Sequence, residues 1–140
     1  MGVVQYGEWI LRVDLSRTQG FYEGLPFDQR IEMLNYIQAC SFTEIESMQF
    51  FEQFGVDILK PCYIQYFPLE GNQIMYTGSY YVFGEILEGE LDNWDVVVGQ
   101  HCLSLTKGNS EVPEQLHGQI IEISFEVVLP WIIEHPIPTP

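Results

Sequence analysis

Five carboxylates fall within eleven residues of the stretch GEILEGELDNWDVVV, residues 84–98: Glu85, Glu88, Glu90, Asp92 and Asp95, with no basic residue among them. Three kinds of chemistry use such a group. Converging oxygens hold a hard cation, a pair across a cleft hydrolyses a glycosidic bond, and a solvated cluster receives a basic partner. The cation reading fails on spacing, because Asp92-Asn93-Trp94-Asp95 lacks the ligand positions and the glycine of an EF-hand loop. The glycosidase reading needs one carboxyl kept protonated by burial, which neighbouring exposed acids do not provide. The third reading needs only exposure.

Geometry sorts these acids further. In an extended chain Glu88, Glu90 and Asp92 share a face, successive members about 6 to 7 Å apart. In a helix Glu85, Glu88, Asp92 and Asp95 align instead. Gly84 and Gly89 weigh against the helix, so a turn near Gly89 is expected, with the acids at a hairpin tip. Tyr63, Tyr66, Tyr76, Tyr80 and Tyr81 lie on the preceding segments. Tyrosine beside carboxylate offers arginine and lysine ring-face, hydroxyl and charge contacts together. Tyr80 and Tyr81, with the five acids, make up the expected partner-binding surface.

Other chemistry-bearing residues are weaker candidates. His101 and Cys102 are adjacent, and Cys62 or His117 are further ligand types. On a strand, consecutive side chains point to opposite faces, so His101 and Cys102 cannot address one substrate or metal. The expectation is a buried structural cysteine and a partly exposed histidine. No CxxC or HxxxH spacing occurs, nor GxGxxG or GxxxxGK[ST]. No catalytic residue, metal ligand or cofactor is therefore assigned.

The totals favour the binding reading. Twenty acidic residues face only five bases, Arg12, Arg17, Arg30, Lys60 and Lys107, for a formal charge of -15. Such charge repels itself within the fold but speeds encounter with a basic partner. It disfavours direct nucleic-acid binding and anionic membranes, both of which call for Lys and Arg. With 46% hydrophobic and 14% aromatic residues the chain is too apolar for a disordered acidic tail. No apolar run reaches membrane-spanning length, and Cys40, Cys62 and Cys102 are odd in number and widely spaced. A cytoplasmic protein with free thiols is expected. Nothing in the pattern sets an oligomeric state.

The elements that must position these residues follow from periodicity. Trp9, Leu11, Val13 and Leu15 alternate as a half-buried strand over 9–15, and the glycines and proline of 17–26 read as a loop. Phe27, Ile31, Leu34 and Ile37 recur at helical spacing, giving a helix to about Cys40. Ser41 or Thr43, with Glu44 or Glu46 three residues on, suggests a capping box for a second helix striped by Phe42, Ile45, Met48 and Phe51 and closed by Gly55. Strands are expected at 62–67, 73–83, 95–105 and 119–129, joined by short turns including one over 107–113, and a Pro-rich tail occupies 130–140. The whole is one domain, 1–140, of the α+β class: an antiparallel sheet of about five strands with a two-helix hairpin packed on one face.

The function expected from this is a small acidic protein-binding module, an immunity-type inhibitor neutralising a basic bacterial toxin such as a nuclease. A DNA-mimic inhibitor of a nucleic-acid-binding protein is the nearest alternative. A small hydrolase or ligand-binding enzyme is the alternative of another class, and a deep pocket holding His101 or a buried carboxylate would favour it.

Overall fold

The computed structural model describes residues 2–107 and 119–139. The fold is α+β, as expected, but among the described residues the antiparallel sheet has seven strands rather than about five, and there are three helices rather than two. Strand β1, Gly2–Tyr6, forms a hairpin with β2, Trp9–Val13, closed by the two-residue turn Gly7-Glu8. β1 falls in a stretch for which the sequence predicts no element.

Helix α1, Leu15–Glu23, occupies the predicted loop. Asp14 explains the difference: its side chain accepts the Arg17 N–H at 3.1 Å and so caps a helix, instead of continuing the strand to Leu15. Gly20 and Gly24 read as loop punctuation, yet one lies inside the helix and the other closes it.

Helices α2, Ile31–Thr43, and α3, Ile45–Glu52, are joined by the single residue Glu44. Their buried face differs from the predicted stripes. Met33, Tyr36, Cys40, Glu44, Ser47 and Phe51 follow one another at spacings of three or four and are all buried, whereas Phe42 and Ile45 are exposed. The predicted capping box does not form. The Ser41 and Thr43 hydroxyls donate back to the Ile37 and Ala39 carbonyls at 2.7 and 2.8 Å, and no side chain caps α3.

The remaining strands are β3, Tyr63–Pro68; β4, Gln73–Glu88; β5, Val96–Val98; β6, His101–Lys107; and β7, Ile120–Pro130. Their order is β1-β2-β4-β7-β6-β5, with β3 also paired to β4. The expected strand over 95–105 is two strands, β5 and β6, because Gly99 turns the chain at φ 57 with only Gln100 between it and His101.

β4 organises the sheet. One edge pairs with β7 from Gln73 to Phe83, while the other is shared, β3 taking Ile74 to Ser79 and β2 taking Gly84 to Glu88. Between those two partners α1 supplies the missing hydrogen bonds. The Tyr22 hydroxyl accepts from Tyr81 N at 2.9 Å and donates to Tyr81 O at 2.7 Å, and Thr18 Oγ1 accepts from Phe83 N at 3.1 Å. Gly84 permits the approach of β2, since a Cβ there would sit 2.1 Å from the Arg12 carbonyl oxygen.

The core lies between the helices and one sheet face. Phe51, Tyr36, Tyr80 and Phe125 stack there with ring centroids 4.7 to 5.9 Å apart, each buried ring stabilising the fold by about 1.5 to 3 kcal/mol. In β7 the expected alternation holds: Ile121, Ile123, Phe125 and Val127 are buried and Glu126 is exposed. Past β7, Trp131 is buried and the tail is tied down by Ile132 N–H to Asn35 Oδ1 at 2.8 Å and Tyr66 OH to the Pro138 carbonyl at 3.2 Å. Among the described residues no helix is long and apolar enough to cross a membrane. The predicted turn over 107–113 and His117 lie outside the described residues, apart from Lys107 at the end of β6.

Candidate functional site

The acidic stretch is a crossover, not a hairpin tip. Two strands, β7 and β6, separate β4 from β5, because β4 already has partners on both edges. Residues 89–95 therefore leave β4 and run to the far side of β6. Leu91 forms a parallel bridge with Leu105, Asp92 N–H donates to Leu105 O at 3.0 Å, and the Cys102 thiol donates to Trp94 O at 3.1 Å. These bonds hold the segment against β6, beside the edge strand β5.

The fold sorts the predicted residues. Glu88, Glu90, Asp92 and Asp95 are exposed, as are Leu91 and Trp94 between them. Glu90 Oε2 accepts from Asn93 Nδ2 at 2.6 Å. Glu85 instead pairs with Arg12 on the neighbouring strand β2 and is ion-paired with it, so it contributes less free charge. Tyr80 and Tyr81 must be corrected. Tyr80 is fully buried and Tyr81 nearly so, the first in the core and the second bonded to α1, so neither ring belongs to the exposed acidic surface.

The structure adds one acid that sequence spacing could not. Glu8, at the turn between β1 and β2, lines a cleft of about 320 Å³ with Trp9, Glu90, Asn93, Asp95 and Val96. Among the described residues, none of Glu8, Glu88, Glu90, Asp92 and Asp95 has a basic partner within ion-pair distance. No group of three or more His, Cys, Asp or Glu among the described residues converges to hold a metal ion. The arrangement can attract and orient a cationic surface.

The core holds a buried polar chain. Glu44 Oε1 is 2.6 Å from His101 Nδ1, His101 Nε2 is 3.2 Å from Tyr36 OH, Tyr36 OH is 2.6 Å from Tyr80 OH, and Tyr80 OH donates to the Ile58 carbonyl at 2.5 Å. Four links need four hydrogens. The two tyrosines supply one each. The Glu44–His101 pair supplies the other two and is net neutral as a unit.

Burial by itself raises the Glu44 carboxyl. The His101 hydrogen bond, the Gln100 N–H at 3.0 Å, the His101 charge and the Ser47 hydroxyl together outweigh it and hold the carboxyl below its ordinary value. Burial pushes the Tyr36 and Tyr80 hydroxyls well up, so they act as donors and not as anions.

This chain anchors the edge of the sheet that the crossover reaches. The Ser47 hydroxyl, shared with Glu44, donates to Val98 O at 2.8 Å, and Glu44 receives the Gln100 N–H, so both ends of the β5 to β6 turn are pinned to α3 and its junction with α2. A side chain on Gly99 would meet Ser47 Oγ at 2.8 Å and Glu44 Oε1 at 3.1 Å.

The expectation of a partly exposed His101 beside a buried Cys102 is reversed. His101 is fully buried among Tyr36, Phe51 and Phe125, and Cys102 lies half-buried on the opposite sheet face. The two side chains do point to opposite faces, but His101 takes the core face, because its polar partner Glu44 lies 57 residues away at a helix junction. Cys40, Cys62 and Cys102 are all free thiols, and burial raises each. Comparison of the chain with protein-family models, curated proteins and solved structures finds no match.

Proposed function

We propose that this chain is an acidic protein-binding module that neutralises a basic partner, most concretely an immunity-type inhibitor covering the nucleic-acid groove of a toxic nuclease. The observation that carries the reading is the meeting of Glu8 with Glu90 and Asp95 around one cleft, next to exposed Glu88 and Asp92, with no compensating base among the described residues. Uncompensated carboxylates on a hydrogen-bonded backbone give a directed field, and such a field speeds association more than it adds affinity. Exposed Trp94 and Leu91 supply the apolar contact that a charged rim alone lacks.

The test starts from a basic protein captured at low salt from the source cell. That protein is assayed for DNA and RNA cleavage with and without an equimolar amount of this chain. Inhibition that weakens as salt rises is expected, because steering by exposed charges is screened. A captured protein without nuclease activity, or cleavage unaffected by the chain, overturns the inhibitor reading.

A further inference from the structure

A second cleft, of about 390 Å³, lies away from the acidic crossover where the segment after α1 meets the segment before β3. Its walls are mostly apolar, with Phe21, Leu25, Phe27, Leu59 and Tyr81 among them, and Lys60 and Asp28 are the charged residues that line it. That volume is in the range of sites that enclose small molecules, which are mostly apolar with a few placed polar groups.

Lys60 is the placed group. Its Nζ donates to Tyr22 O at 2.9 Å and lies 4.7 Å from the centroid of the Phe27 ring. An ammonium has three donors, so two remain without a hydrogen-bond partner among the described residues. Nor does any carboxylate among them come within ion-pair distance of Lys60, in a chain with twenty acids. Asp28 is the acid of the cleft, and Arg30 already holds it, with Nη2 at 2.7 Å and Nε at 3.0 Å from Oδ2.

The two sides of Lys60 differ in a way that selects the ligand. The wider cleft on its other side, about 630 Å³, is lined by Glu23, Glu52 and Asp57, which repel an anion. The apolar side offers aromatic and aliphatic walls, with the ammonium 4.7 Å from the centroid of the Phe27 ring. We infer that the apolar cleft binds a small apolar monocarboxylate, its hydrocarbon body against Phe21, Leu25, Leu59 and Tyr81 and its carboxylate on Lys60. This site is separate from the acidic surface, and its success or failure leaves the proposed partner binding untouched.

Calorimetric titration of the full chain with decanoate, and with decanol as the uncharged control, tests the inference. Saturable one-to-one binding of decanoate is expected, with decanol about tenfold weaker or more, since a charge-assisted hydrogen bond is worth that discrimination. Lys60→Met should reduce decanoate to the level of decanol. Phe27→Ala removes a half-exposed ring from the cleft wall and should weaken both ligands alike, which keeps the inference testable where Lys60→Met is unfolded by circular dichroism. Absence of saturable binding, equal affinity for decanoate and decanol, undiminished decanoate binding in a folded Lys60→Met, or unchanged affinities in Phe27→Ala would each overturn it.

Discussion

Glu44 joins three parts of the molecule through one side chain. It ends α2, precedes α3, and through Oε1 holds His101 and the Gln100 N–H. Removing the carboxylate weakens the buried hydrogen bonds that Glu44 makes to His101 and to the Gln100 N–H, so Glu44→Gln is expected to lower unfolding free energy by about 1 to 3 kcal/mol. Replacing both partners by apolar residues, Glu44→Leu with His101→Phe, should cost much less, because no charge is then left buried. Urea denaturation of Glu44→Leu, His101→Phe and the double variant measures this, and additive losses would show that the two residues are not coupled.

The pH dependence has a definite sign. A carboxyl held below its unfolded value stabilises the fold fully above that value, 4.5 for Glu44, and the contribution is lost as pH falls through the lower folded value. Acid should therefore destabilise the native protein more steeply than Glu44→Gln. Asp28, lowered by Arg30, keeps some acid dependence in both. Little of this was legible in the sequence. A carboxylate at the fourth position after Cys40 and the third before Ser47 was the available signal, but reading apolar type before spacing led to Phe42 and Ile45, which the fold leaves outside.

At the scale of elements, β4 and α1 together decide how the sheet is assembled. Strands β2, β3, β4 and β7 were legible because alternation and β-branched composition are local properties, and β7 shows this best, whereas β1 and the break between β5 and β6 were not. Their order was not legible. Short connections suggested neighbours, yet the connection 89–95 passes over two strands, because pairing depends on which edges remain free and not on loop length alone. The role of α1 was hidden by its glycines and by an Asp14 that reads as a strand residue. Tyr22→Phe removes the hydroxyl that satisfies both the Tyr81 N–H and its carbonyl, and should cost about 1 to 3 kcal/mol in thermal or urea unfolding. Gly84→Ala forces β2 and β4 apart and should cost a similar amount, about 1 to 3 kcal/mol, with loss of amide-exchange protection concentrated in Leu11 to Val13. A Gly84→Ala protein as stable as the wild type would show that this pairing gives way without loss.

At the scale of the whole molecule, charge and structure point the same way. With a formal charge of -15 the folded state repels itself, so unfolding midpoints should rise as moderate salt is added, the opposite of a fold held by surface ion pairs. The acids of 84–98 were visible from composition, while Glu8 was not, because only the β1 to β2 hairpin brings the chain's eighth residue to Glu90 and Asp95. The most direct test is the association rate with the captured basic partner for the wild type and for the combined variant Glu8→Ser, Glu90→Ser, Asp92→Ser and Asp95→Ser, at low and high salt. With the fold intact by circular dichroism, association at low salt should slow about tenfold or more, and the two proteins should converge at high salt. Equal rates at low salt would contradict the proposal that this surface receives the partner.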